Sequence, residues 1–416
     1  MTGSAATVPP RPRRDLGLLT GARLATVLGS TATTVAVVLV AEPRGAWAVS
    51  LLLGAELVAV LLTAPLAGLL VDRYPARRLV VLACLVQAAA VGAGSLLTGS
   101  LPALVVVLAV LGAGQAVVGP AIQALVPWVV GEERSTRGYA LMAVAGNVGF
   151  LLGLPLGGLA VGLLGAGTAL RLDAASFVVE AGLVGLLRAR RVPVRADRGP
   201  GAGRWDEALA GARWLGQDRV LAVCTLGLAV SLVCTTSVNV AEVFVVITLL
   251  GASETVYGLV AAAWAASSLL ASLAAGRLRS TTVTARAVLG SCVVLGAGLV
   301  LASLGGFRLE LWWVVVGWVV AGAGNGVAVV ASSSLVRART PDERRGRVFA
   351  ALQALYQGAN VSSLLLGASL VGLIGAAETL ALAGAVAAVV GVVFLVVLGR
   401  ADSGRGSQAP PTTRAT

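Results

Sequence analysis

The chain has 416 residues and a formal charge of +12, with 57% hydrophobic and only 12% charged residues, where a soluble globular protein carries roughly 25% charged residues. All 31 basic residues are arginine and there is no histidine. This removes a P-loop lysine, a Schiff-base lysine, histidine ligation of metal or haem and every histidine-based nucleophile pair, so no enzyme, cofactor or metal site is expected and any proton chemistry must rest on carboxylates.

Apolar runs of about 20 residues, each long enough to cross a hydrocarbon core of ~30 Å, recur along the sequence and predict an all-α membrane protein. The first six spans fall near residues 16–41, 47–71, 79–98, 102–127, 139–164 and 168–187. Residues 188–219 separate them from the rest with eight arginines and four acids, and read as a cytoplasmic linker with a short amphipathic helix from Trp205 to Trp214. Six more spans follow near 220–250, 257–275, 285–304, 311–336, 348–371 and 376–399. This gives an N-terminal six-helix bundle over 16–187 and a C-terminal one over 220–399. Residues 1–15 and 400–416 are polar, Pro-rich tails expected to be disordered. The first apolar run is long enough to span, so no cleavable signal peptide is expected.

Arginine placement orients the chain, because cytoplasmic loops collect positive charge. With both termini cytoplasmic, 27 arginines lie on that side, Arg44, Arg171 and Arg308 lie outside, and Arg23 falls within the first span. Topology therefore accounts for the +12 charge, and nucleic acid is not an expected partner. The arginine-only, Ala/Gly/Val-rich composition points to a GC-rich bacterial genome, so a bacterial plasma membrane is the expected location.

An offset of 210 residues superposes part of the first half on the second. Gly112 to Gln115 (GAGQ) meet Gly322 to Asn325 (GAGN), Glu132, Glu133 and Arg134 meet Asp342, Glu343 and Arg344, and Asn147 meets Gln357. The charged loop and mid-helix amides are not low-complexity sequence, so the match reads as an internal duplication. Parallel repeats about an axis along the membrane normal are a known transporter architecture, with substrate held near the midplane.

The loop after the second span reads GLLVDRYPARR, with Gly68, Asp72, Arg73, Arg77 and Arg78. In this position of a duplicated twelve-span chain it resembles the signature loop of the major facilitator superfamily. The resemblance implies a twelve-helix transporter in which this loop switches between outward and inward states. Asp72 is suited to cap a helix N-terminus or pair with arginine. The matching second-half loop, GRLRSTTVTAR, keeps Gly276 but has no Asp-Arg pair. DAASF at Asp173 to Phe177 and TPDERRGRVFA at Thr340 to Ala350 are similar to the drug-exporting branch that includes macrolide efflux proteins and the enterobactin exporter. The fifth span, GNVGFLLGLPLGG, resembles the glycine-rich motif of superfamily antiporters through Gly149, Gly153, Gly157 and Gly158. Its proline, Pro155, stands one residue later than in that pattern. Small residues at this spacing also permit close helix packing whatever the function.

Titratable groups inside spans are costly to bury and are functional candidates by default. Glu56, Glu180 and Glu242 are the candidate proton carriers, since a carboxylate held in a low-dielectric bundle can take a proton from outside and release it inside. Arg23 is placed to snorkel or to pair with one of them. Gln353, Tyr356, Gln357 and Asn360 share one face of the eleventh span, and with Gln115, Asn147, Asn239 and Asn325 they are candidate cavity-lining groups. Interhelical hydrogen bonding is the competing role for the same amides. Cys84, Cys224, Cys234 and Cys292 lie in apolar runs and read as small buried hydrophobes. The expectation is a monomeric exporter of a drug-like or natural-product amphiphile, driven by protons, in the manner of multidrug efflux and antibiotic resistance transporters. An importer or uniporter of the same fold is the alternative.

Overall fold

The computed structural model describes residues 12–131, 134–188, 213–277 and 280–403. The tails before residue 12 and after residue 403, and most of the predicted linker with its Trp205 to Trp214 helix, lie outside them; residues 213–217 are helical.

The first predicted spans become α1 (Pro12–Ala41), α2 (Ala46–Arg73), α3 (Ala76–Gly94), α4 (Leu101–Val130), α5 (Ser135–Leu164) and α6 (Ala166–Gly185). α1 starts inside the expected tail because Pro12 suits a first helical position and Asp15 puts an acid in the first turn. Ser100 caps α4 by accepting from the Ala103 N–H at 3.5 Å. The predicted seventh span is not one helix. α7 (Arg219–Thr236) ends at a turn on Ser237, the short α8 (Val238–Val243) follows, and Phe244–Leu249 winds as a π-helix. The remaining helices are α9 (Glu254–Ala275), α10 (Thr281–Arg308), α11 (Leu311–Arg339), α12 (Asp342–Ile374) and α13 (Ala376–Ser403).

Among the described residues, eleven helical stretches are long and apolar enough to cross a membrane. α6 is not among them because its 20 residues carry Arg171, Asp173 and Glu180. The 210-residue offset reappears in the helix boundaries. It carries the start of α4, Leu101, to that of α11, Leu311, and the end of α5, Leu164, to that of α12, Ile374. Gly165 and Gly375, equivalent in this register, both break the chain at positive φ, 80° and 96°, where a side chain is disfavoured.

Packing divides the chain into two compact units. The first comprises residues 1–199, 240–265 and 368–373. In it α1 packs on α5 and α6, α2 packs on α4, and α3 packs on α4 and α6. Small residues set the α1–α5 distance: a Cβ added at Gly149, Gly153 or Gly157 would lie 2.9 Å from the Leu24 carbonyl, 2.8 Å from the Leu28 carbonyl and 2.7 Å from Ala32 Cα. Pro155 and Gly158 turn to the other side of α5, where a Cβ on Gly258 of α9 would come within 2.6 Å of the Leu154 carbonyl and 3.1 Å of Pro155 Cα. All five residues of the glycine-rich motif thus serve close backbone approach.

The second unit comprises residues 200–239, 266–367 and 374–416. α10 packs between α11 and α13, and α7 lies on α13 and α10. Its core gathers Leu221, Cys224, Leu289, Cys292, Leu335, Val348 and Leu398. At the start of α7, Asp218 caps the helix, accepting from the Val220 and Leu221 N–H groups at 2.9 and 3.0 Å. It also accepts from Arg339, whose single Nη1 spans both carboxylate oxygens at 3.1 and 2.9 Å. Burial pushes the Asp218 carboxyl up, but the Leu221 N–H, the Arg339 guanidinium and the Val220 N–H outweigh it and hold the group below its ordinary value. A depressed carboxyl stabilises the fold above the unfolded aspartate range, about 4, and that contribution is lost as pH falls through the folded value. The thermal stability of wild type is expected to drop on acidification below about pH 4 more steeply than that of Asp218→Asn. Parallel melting curves for the two proteins over that range would contradict this assignment.

Candidate functional site

Three carboxyl groups and one guanidinium meet inside the first unit. Glu180 is 1% exposed on α6, where Oε2 accepts from the Thr26 hydroxyl of α1 at 2.5 Å and from the Cys84 thiol of α3 at 3.3 Å. Oε1 of the same group is buried and has no hydrogen-bond partner. Two turns toward the start of α6, Asp173 is fully buried and accepts from the Ser176 hydroxyl at 3.0 Å. Asp173 lies within electrostatic reach of Glu56 and Glu180, with the Thr33 hydroxyl of α1 beside it, and Arg23 acts on Glu180.

The local sequence explains how these groups meet. Arg23, Thr26 and Thr33 follow helical spacing along α1, and Asp173, Ser176 and Glu180 do so along α6. Between them Gly29 keeps the seam open, since a Cβ there would lie 2.5 Å from Asp173 Oδ1 and collide with the Ser176 hydroxyl. Arg23 runs alongside Gly146 of α5, where an added Cβ would sit 3.5 Å from its Nε. Glu56 is half-buried on α2, at the point where Gly112 of α4 closes on its backbone carbonyl.

The structure therefore brings Arg23 within electrostatic reach of Glu180, and Glu56 within reach of Asp173. Glu242 has a different setting: it is 8% exposed on α8, interacts with Tyr257 of α9 and is separated by Val243 alone from the π-helical stretch. Sequence reasoning missed Asp173 as a member of the cluster and Thr26, Thr33 and Ser176 as its hydroxyls; their shared helical spacing with Arg23 and Glu180 was the available signal. Cys84 is buried as expected, yet it also donates to Glu180. Gln87, fully buried on α3, donates to the Leu111 carbonyl at 3.0 Å.

The amide positions divide. Asn325 of α11 donates to the Ser268 hydroxyl of α9 at 3.1 Å, and Asn360 donates to Gln357 at 3.2 Å along α12. Gln115 is half-buried, whereas Asn147, Asn239 and Gln353 are exposed. Tyr356 lines a cavity of about 10 Å³ inside the second unit with Cys224, Thr225 and Ser332, space for about one water. In the loop between α2 and α3, Arg77 donates to the Gly185 carbonyl at the end of α6, a favourable place for a cation at a helix C-terminus. Arg73 and Arg78 are exposed. The side chains at Gly68 and Asp72 fall outside the described set.

A family model described as the Major Facilitator Superfamily matches residues 19–243 and 224–415. Among solved structures, an auto-inhibited POT family peptide transporter is similar with a TM-score of 0.72 and 14% identity over 97% of this chain and 99% of the other. The nucleoside transporter NupG gives a TM-score of 0.71 and 13% identity over 93% and 99%. A bacterial homologue of the human lysosomal transporter Spinster, inward-facing and unoccupied, gives 0.66 and 15% over 96% and 99%. A comparison with curated protein sequences finds no match.

Proposed function

Because the chain belongs to the major facilitator superfamily, we propose that this transporter exports a drug-like or natural-product amphiphile in exchange for protons. The observation that carries the reading is the buried pair Asp173 and Glu180, with half-buried Glu56 in reach of Asp173 and Arg23 acting on Glu180. Coupling requires that proton and substrate bias the same two states in opposite directions, and carboxyls whose charge is costly to hold inside the bundle supply that bias when they load and release a proton. Glu180 is the leading carrier, Glu56 the second, and Glu242 the third.

Export is favoured by the likeness of DAASF, TPDERRGRVFA and the glycine-rich fifth span to the drug-exporting branch. Gln115, Asn147, Asn239, Asn325, Gln353, Tyr356, Gln357 and Asn360 are the proposed substrate contacts. Few aromatic and many small apolar side chains surround them in the sequence, which suits an amphiphile better than a sugar. The chain is proposed to work as a monomer in a bacterial plasma membrane with both termini cytoplasmic. The similar solved structures named as peptide and nucleoside transporters favour a second reading, uptake or facilitated passage of a small polar solute.

Export is tested in cells producing the protein and loaded with lipophilic fluorescent dyes. The expected result is energy-dependent loss of dye that a protonophore stops. Retention of every dye, together with protein-dependent accumulation of labelled dipeptide or nucleoside, would instead establish the second reading.

A further inference from the structure

We propose that Asp173 is a second proton-binding carboxyl of the coupling site, paired with Glu180 along the α1–α6 seam and positioned by Gly29 and Ser176. The inference rests on the proton-coupled reading above and extends it to residues outside the three glutamates.

Four observations converge. Asp173 is fully buried and Glu180 nearly so. Asp173 Oδ2 and Glu180 Oε1 make no hydrogen bond, so a proton can be added at either oxygen without displacing an existing donor. The Thr33 hydroxyl, 1% exposed, stands beside the Asp173 carboxyl as a hydrogen-bonding group, so it is a polar group aimed at the site rather than spent on the backbone. Gly29 leaves the space that the Ser176 and Asp173 pair occupies, and alanine there would strike both.

The charged and titratable groups around Asp173 are few. Glu180 shares its helix and Glu56 comes from α2; Arg23 of α1 and Cys84 of α3 act at Glu180, while residues 140–164 of α5 contain no titratable side chain. Seven residues separate Asp173 from Glu180, about 10.5 Å of helical rise. That is too far for one shared hydrogen bond and close enough, in a low-dielectric bundle, for each charge to oppose the other. In the proposed step a proton from water on the open side binds an Asp173 or Glu180 carboxylate oxygen, cancels one negative charge and leaves to water on the other side. No further reactant is needed. Arg23 balances the charge that remains.

The test reads protonation directly and needs no substrate. Wild type, Asp173→Asn, Glu180→Gln and Ser176→Ala, each reconstituted in lipid, are titrated from acid to neutral pH while the carbonyl stretch of protonated carboxylic acids is followed by infrared difference spectroscopy. Removing either carboxyl is expected to eliminate one band and to move the midpoint of the other by about one pH unit or more, the mark of coupled sites. Ser176→Ala, a conservative change that keeps both carboxyls, is expected to shift the Asp173 band. A Glu180 midpoint unmoved in Asp173→Asn, or an Asp173 band unmoved in Ser176→Ala, would overturn the proposal. Loss of the bands on adding sodium at constant pH would overturn it in favour of sodium as the bound ion. Failure of proton coupling itself has a separate signature, dye movement in liposomes that carries no protons, so the two failures are distinguishable.

Discussion

Replacing Glu180 by Gln is expected to lower proton-driven transport at least about tenfold, the smallest effect consistent with loss of a group that handles the proton in every cycle. Substrate binding should remain within about threefold of wild type, since uniform binding and coupling are separate free energies. Glutamine keeps the volume and one acceptor for Thr26, so the fold should survive. The charge that answers Arg23 and opposes Asp173 disappears. Glu56→Gln should weaken coupling less, because Glu56 is only half-buried and enters the set at its edge. Both effects are read from proton uptake and binding measured on the same preparation. Wild-type coupling in both single variants would remove the carboxylate assignment.

The second large effect concerns the fold. Gly298 of α10 and Gly317 of α11 face each other so closely that a Cβ on Gly298 would lie 2.7 Å from the Gly317 carbonyl and 2.8 Å from Ala321 Cα. A Cβ on Gly317 would lie 2.6 Å from Ala302 Cα. The obstructing atoms are backbone, which cannot rotate away, so relief requires the two helices to separate. Gly317→Leu is expected to cost at least about 3 kcal/mol, the upper end of ordinary overpacking, and to lower the apparent Tm in detergent by roughly 3 °C or more. Gly290→Ala on the same α10 is the matched control, with no atom near the added methyl. Its expected change is neutral or slightly stabilising, because alanine replaces glycine inside a helix. Equal Tm values for the two variants would show that the close crossing does not set the α10–α11 distance.

Helix existence and the internal repeat were legible because both follow from apolar length and from charged or glycine positions that recur at one offset. Boundaries shifted where local chemistry extended a helix past its apolar run, as Pro12 and Asp15 do for α1. The seventh span was legible as one apolar stretch, found from Arg219 to Leu249; its interruption at Ser237 was not, because hydropathy continues through it and only Thr235, Thr236, Ser237 and Asn239 mark the place.

Part of the candidate site was legible for a similar reason. Glu180 and Glu56 stand out as acids in apolar runs. Asp173 did not, since it occurs in a stretch that marked a resemblance and the start of a span. Its place in the cluster depends on α1 presenting Thr33 and Gly29 to it, a pairing between residues some 140 positions apart. The competing roles of the amides also needed coordinates: Asn325 is tied to Ser268, and nothing in the sequence pairs those two. Cys84, Cys224 and Cys292 were legible in burial, whereas Cys234 is only half-buried; the chemistry was not legible, because a thiol at hydrogen-bond distance from a carboxylate looks in sequence like any other small apolar residue.

The most direct test of the central claim is a liposome measurement. The purified protein is reconstituted with a pH-responsive dye inside, the vesicles are acidified internally, and amphiphilic antibiotics and dyes are added one at a time. The account predicts that at least one compound triggers proton release from the vesicles, and that Glu180→Gln stops the release while still binding that compound. Compound flux in the wild-type protein with no accompanying proton movement would contradict it.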